Sequence, residues 1–192
     1  AAQESEASRA KDRSPNATSA AFYGLRIVSD RLCFVCDSSK SMNQKTRSGQ
    51  TRMEVLREQL TATIHKLPDG TLINLVFFAN KAYAWSDNLQ VLNENTREEA
   101  SERVRTEPLK FKTLTYEGLI EGFADPRVDT IYLLTDGQPY GGAMPKSGDI
   151  LREIERINSI RHVIIHCISV GTDSGFLKKL AKQNGGHYTR VD

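Results

Sequence analysis

The segment Asp37-Ser38-Ser39-Lys40-Ser41-Met42 places one carboxylate and two hydroxyls at alternate positions. In extended or gently turning backbone alternate residues share a face, so Asp37, Ser39 and Ser41 can converge on one point. A second carboxylate, Asp136, stands in Leu134-Thr135-Asp136-Gly137-Gln138-Pro139, where Gly and Pro release the chain into a loop. Between them, Lys112-Thr113-Leu114-Thr115-Tyr116-Glu117 offers further hydroxyls just before a predicted helix. Two carboxylates and several hydroxyls from three loops form a hard, all-oxygen donor set. That chemistry suits Mg²⁺, or else Mn²⁺ or Ca²⁺, with Mg²⁺ taking about six oxygens near 2.1 Å.

Other chemistries lack their parts. The four histidines are His65, His162, His166 and His187. His65 falls late in a helix, where a cation suits the dipole. His162 and His166 are read within one buried strand, four apart and so on one face. None accompanies a Ser or Cys in a triad arrangement. Gly141-Gly142 and Gly185-Gly186 lack the spacing and Lys of a phosphate loop. Phosphoryl transfer through an aspartyl phosphate would want an Asp where Ser39 stands. Cys33 and Cys36 form a C-x-x-C, but inside the strand-like run 32–36 their side chains point to opposite faces, about 10 Å apart. With Cys167 they are read as reduced, buried thiols.

The elements that must position the oxygen donors follow from periodicity. Residues 32–36, 71–79, 128–135 and 162–170 are apolar, non-alternating runs of the kind that form buried parallel strands. Residues 82–86 read as a short edge strand and 187–191 as a last strand. Helices are expected at 51–66, 95–106, 116–124, 147–159 and 173–183. Thr51 and Glu54 form a capping box at the start of the first, and Asn184-Gly185-Gly186 closes the last. Such alternation predicts an α/β, Rossmann-like, doubly wound sheet. It would have about six mostly parallel strands, helices on both faces and one antiparallel edge strand. In these sheets ligands bind at the carboxyl ends of strands, where strand order reverses.

At these residues the sequence resembles the von Willebrand factor type A domain with its metal-ion-dependent adhesion site. The pattern D-x-S-x-S is met by Asp37, Ser39 and Ser41, the distant Thr by Thr115 and the last Asp by Asp136. Thr113 is the rival to Thr115, which is favoured because it would directly precede its helix as an N-cap. The runs FYGLRIVSDRLCFVCDSSKSM and FLKKLAKQNGGHYTRV look most like bacterial members. Two departures stand out: Lys40 replaces the usual Gly, and Cys36 an aliphatic residue. Neither is a ligand, but a lysine pointing inward would oppose the metal, and one pointing outward would join a binding rim.

The resemblance implies a protein-binding module rather than an enzyme, in which a bound Mg²⁺ captures an Asp or Glu of a partner protein. A metal-dependent hydrolase using the same site, or a structural domain that has lost its metal, are the alternatives. Lys40, Lys45, Arg47 and Lys112 are the expected partner-binding rim, within loops that also carry Arg52, Lys110 and Lys146. These charges would steer acidic partners although the chain carries only +2 overall, from 26 Lys+Arg and 24 Asp+Glu. So small a net charge, with 7% aromatics not interleaved with basic residues, supplies no nucleic-acid footprint. No apolar run is long enough to span a membrane.

The 192 residues suffice for one domain, expected over 22–192. Residues 1–21 are Ser-, Ala- and charge-rich without periodicity and read as a flexible tail carrying one Asn16-Ala17-Thr18 sequon. The initial Ala leads us to expect a fragment of a larger protein, monomeric by itself and of unknown compartment.

Overall fold

In the computed structural model residues 20–191 are described, and the sequon and most of the expected tail lie outside them. The strands are β1 (Ala21–Phe22), β2 (Leu25–Arg26), β3 (Arg31–Asp37), β4 (Leu72–Phe78), β5 (Ala82–Ala84), β6 (Gln90–Val91), β7 (Thr130–Thr135), β8 (Ile164–Val170) and β9 (Tyr188–Val191). The helices are α1 (Arg52–Lys66), α2 (Glu94–Thr106), α3 (Thr115–Gly122), α4 (Ser147–Arg161) and α5 (Gly175–Gln183). A 3₁₀ turn at Lys40–Asn43 follows β3.

The main sheet runs β5-β4-β3-β7-β8-β9, with β6 also paired to β4. Contacts among β4, β3, β7, β8 and β9 are parallel, whereas β5 and β6 run antiparallel to β4. From β3 the chain moves outward to β4 on one side, then returns to β7 on the other. The reversal point therefore lies between β3 and β7, the two strands ending at Asp37 and Thr135.

Both faces are covered, which is why the central strands need no polar alternation. One face holds Leu56 and Leu60 of α1, Val104 of α2 and Phe22 of the β1–β2 hairpin. The other holds Leu119 of α3, Ile154 of α4 and Leu180 of α5. Cys36 belongs to the first core and Cys33 to the second, as strand alternation requires. All three cysteines are free, and burial raises each thiol above its usual range.

Several elements depart from the expectations. Ala20 is buried and Ala21 pairs with Arg26, so these two residues belong to the folded unit rather than to a tail. Their hairpin turns at Tyr23 and Gly24, both with positive φ. His162 is not in β8: it ends α4 in the left-handed conformation, φ +54°, and only His166 sits in the strand. The capping box at Thr51 and Glu54 is present, as is the α5 end at Asn184, followed by Gly185 at φ +67°.

Candidate metal centre

Asp37 is the last residue of β3 and is fully buried. Its Oδ1 accepts the Ser39 backbone N–H at 2.8 Å, and its Oδ2 accepts the Thr135 hydroxyl at 2.5 Å. The first bond folds the chain back after the strand, an Asp-led turn that brings Ser39 above the carboxylate. Ser39 and Ser41 then share a hydrogen bond between their hydroxyls at 2.9 Å, and the Ser41 hydroxyl donates to Asp136 Oδ1 at 2.8 Å. Asp37, Ser39, Ser41 and Asp136 are thus one connected oxygen cluster at the reversal point.

Backbone bonds between loops hold the cluster. Ser38 N–H donates to the Phe78 carbonyl at 2.9 Å, and Lys110 N–H donates to the Ser38 carbonyl at 2.9 Å. Leu114 N–H reaches the Ala79 carbonyl at 3.1 Å, and Thr113 and Tyr140 pair as an isolated antiparallel bridge. The 107–114 segment therefore links the Ser39 loop with the loop after β7.

Thr115 is 1% exposed but is not an N-cap. Leu114 takes that position without a side-chain cap bond, and Thr115 is the first helical residue, its hydroxyl 3.5 Å from the Thr113 carbonyl. The hydroxyl keeps its acceptor lone pairs. α3 lies unusually close to the sheet because Gly118 and Gly122 face it. A Cβ there would stand 2.6 Å from Phe78 and 2.8 Å from Val35. Thr113 is 9% exposed, with its backbone committed to Tyr140.

Electrostatics make Asp37 the unusual member. Burial pushes its carboxyl up to about 7; the Thr135 hydroxyl partly offsets this, the Asp136 charge adds to it, and the Ser39 bonds offset it again. Among the described residues no cation forms an ion pair with it. Asp136, by contrast, accepts Arg52 Nη1 at Oδ2, 2.6 Å away, and Thr172 hydroxyl donates to its carbonyl at 2.9 Å. Among the described residues no group of three His, Cys, Asp or Glu side chains forms a metal-binding cluster. Any ion here would depend on hydroxyls as well as carboxylates.

The oxygens fit a small divalent ion. Six ligands at about 2.1 Å in an octahedron lie about 3.0 Å apart along each edge. The Ser39–Ser41 and Ser41–Asp136 oxygen separations, 2.9 and 2.8 Å, match that edge. Asp37 adds a buried carboxylate through its bond to the Ser39 N–H, whereas the buried Thr115 hydroxyl bonds the Thr113 carbonyl and makes no hydrogen bond to the cluster.

The expected rim divides. Lys40 is exposed and points outward, its Nζ 3.7 Å above the Phe111 ring, and its φ is not positive, so the missing Gly costs no strain. Lys45, Arg47 and Lys112 are exposed, Lys112 with φ +69°. Lys110 turns away: its Nζ donates to the Tyr83 hydroxyl at 3.0 Å, beside the buried Glu107 that the same hydroxyl and Arg103 also bond. Arg52 is not a loop charge at all but lies inside the site, 9% exposed.

Three further residues escape a reading by motif. Thr135 orients Asp37, while Phe111 and Tyr140, 67% and 71% exposed, stand on the loops that carry the site. The clues in sequence are slight: a hydroxyl one residue before Asp136, and aromatics placed in polar loops.

Residues 30–190 match the family model for the von Willebrand factor type A domain. The chain belongs to that family. The human von Willebrand factor A domain-containing protein 3A is 26% identical over 166 residues, 84% of this chain but 13% of that protein. Mouse inter alpha-trypsin inhibitor heavy chain 4 is 27% identical over 186 residues, 87% of this chain and 18% of that protein. The chain therefore spans less than a fifth of these curated relatives, which are mammalian rather than bacterial. Among solved structures, the type A domain protein from the bacterium Catenulispora acidiphila superposes with TM-score 0.70 at 19% identity, over 87% of this chain and 40% of that one. Mussel byssus proximal thread matrix protein 1, described with a zinc-occupied metal-ion-dependent adhesion site motif, gives 0.63 at 18% identity, over 85% and 43%. At these identities the structures establish the shared Rossmann-like fold.

Thr135, which donates to Asp37 Oδ2, supplies a direct check on the candidate site. In Thr135→Val the ionised Asp37 loses a buried donor, so its carboxyl rises above about 7. Mn²⁺ affinity at neutral pH should drop by about tenfold and recover toward the wild-type value at pH 9, as read by calorimetric titration.

Proposed function

We propose that this von Willebrand type A domain is a divalent-metal-dependent protein-binding module. It captures an Asp or Glu side chain of a partner through an ion, preferably Mg²⁺, held by Asp37, Ser39, Ser41, Thr115 and Asp136. The family commonly mediates protein interaction, and its members commonly bind a divalent metal at this motif. The observation that carries the reading is the connected cluster in which the Ser39, Ser41 and Asp136 oxygens lie 2.8–2.9 Å apart in series and the Ser39 backbone N–H ties in the Asp37 carboxylate. When bound, the ion supplies an electrophilic point for an incoming carboxylate, because hydroxyl ligands donate lone pairs without neutralising it.

The residues around that point do the rest. Asp37, held by Ser39 N–H and Thr135, fixes one wall of the site. Phe111 and Tyr140 present exposed aromatic surface beside it, and Lys40, Lys112, Lys45 and Arg47 present charge that favours an acidic partner. No bond-making step is required, and the histidines lie elsewhere. His166 is in the middle of β8 stacked on Tyr132, and His162 ends α4.

The test is a displayed random-peptide library selected on the domain in Mg²⁺ and eluted with a chelator. The eluted pool should be rich in Asp and Glu. Replacing that acid with its amide in a selected peptide should weaken binding by at least about tenfold. Its association rate should fall steeply with added salt, as expected for steering by the rim. Peptides that bind equally well after chelation, or without any acid, would remove the proposal.

A further inference from the structure

Arg52 opens α1, at the helix end where the backbone dipole favours anions rather than cations. Its guanidinium instead reaches across the strand ends into the oxygen cluster. Nη1 donates to Asp136 Oδ2 at 2.6 Å, with side-chain exposures of 11% for Arg52 and 1% for Asp136. The other side of the guanidinium lies against Gly171, just past β8. A Cβ at Gly171 would come within 2.5 Å of Nη2 and 2.7 Å of Nε. Nε itself is buried with no hydrogen-bond partner among the described residues.

Stability alone is a poor reason for this arrangement. A buried ion pair gains little over apolar packing of similar volume, and an unpaired buried N–H adds a penalty. Position supplies the reason. Asp37 and Asp136 would offer a divalent ion two negative charges, and Arg52 brings one positive charge into direct contact with the second of them.

We propose that Arg52 is the resident counter-cation of the metal site. It contacts Asp136 Oδ2 while Ser41 takes Oδ1, and its charge lowers the net charge of the site toward the metal from −2 to −1. The domain then holds its ion weakly, and the carboxylate of a partner supplies a large share of the remaining charge. Metal and partner binding become mutually reinforcing. This inference rests on reading the cluster as a divalent-metal centre.

Arg52→Met and Arg52→Lys separate this role from simple packing. In Mn²⁺ titration calorimetry at pH 8, Arg52→Met should bind about tenfold more tightly than wild type, since a nearby like charge has been removed. Arg52→Lys keeps the charge and should stay within about threefold of wild type. Circular dichroism checks whether each variant is folded. A folded Arg52→Met with equal or weaker Mn²⁺ affinity overturns the role of Arg52 while leaving the metal reading intact. Failure of wild type and Arg52→Met alike to bind Mn²⁺ overturns the metal reading and this one with it. If Arg52→Met does not fold, wild type still decides. The buried Nε–H resonance of Arg52, assigned by its loss in Arg52→Lys, should shift on saturation with Mg²⁺. A resonance that stays in place overturns the proposal.

Discussion

Asp37→Asn should lower Mn²⁺ affinity by at least about a hundredfold while leaving the domain folded and more stable at pH 8 in chelator. The side chain is fully buried, and an amide can keep both neighbours. Its oxygen accepts the Ser39 N–H, and its NH₂ can donate to the second lone pair of the Thr135 hydroxyl, whose oxygen already accepts the Gly137 N–H. What disappears is the buried charge. With the carboxyl raised from 3.8 to about 7, the folded wild type keeps a proton that the unfolded chain releases. Wild-type stability without metal should therefore fall as pH rises from about 4 to about 7, and level off above. The full loss is up to about 4 kcal/mol from the displacement of that one group. Asp37→Asn removes the contribution of Asp37 to this slope. Urea denaturation at pH 5 and pH 8, with chelator, measures it. A variant that retains Mn²⁺ affinity, or the same pH slope, would show that Asp37 is not the carboxylate at issue. A residue that costs stability at neutral pH yet sits at the strand ends is what a binding site, rather than a core, would retain.

Gly186→Ala should be the most destabilising single methyl addition. Its Cβ would lie 1.9 Å from the Ile165 carbonyl oxygen and 2.4 Å from the carbonyl carbon, both backbone atoms of β8. No rotamer relieves such a clash. β9 would have to move off β8, breaking the bond from Cys167 N–H to the His187 carbonyl at 2.9 Å. We expect a loss of about 3 kcal/mol or more, seen as a lower urea midpoint at unchanged slope. A loss below about 1 kcal/mol would mean that the β8–β9 register differs from the one described. Mn²⁺ affinity of the folded variant should hold, because the oxygen cluster draws its ligands from β3, α3 and β7 and their loops.

The framework was legible because its signals are local and redundant. β3, β4, β7 and β8 are continuous apolar runs, and Thr51 with Glu54 marks the start of α1 unmistakably. The residues proposed as oxygen donors stood out for a similar reason: Asp37 ends one buried strand and Asp136 follows another, but an Asp-led turn and a 3₁₀ turn, not strand alternation, bring Ser39 and Ser41 together. What sequence missed depends on long-range placement. Arg52 reads as one more basic loop residue, and only the fold shows it reaching Asp136, 84 positions away. A cation in the first turn of a capped helix was the available hint. His162 read as strand because apolar residues follow it, but the helix before it runs to Arg161 and needs a left-handed cap. β6 and the β1–β2 hairpin are two-residue strands, too short to carry a period. Thr115 was expected at the cap, whereas Leu114 holds it and Thr115 is the first helical residue.

The most direct measurement is a crystal structure of the domain grown with Mn²⁺, read by anomalous scattering. A single strong peak should lie about 2.1–2.2 Å from the hydroxyl oxygens of Ser39 and Ser41, with Asp37, Thr115 and Asp136 completing the shell directly or through water. Absence of a peak at millimolar Mn²⁺, or a peak only at other acidic residues, would contradict a metal centre at the ends of β3 and β7.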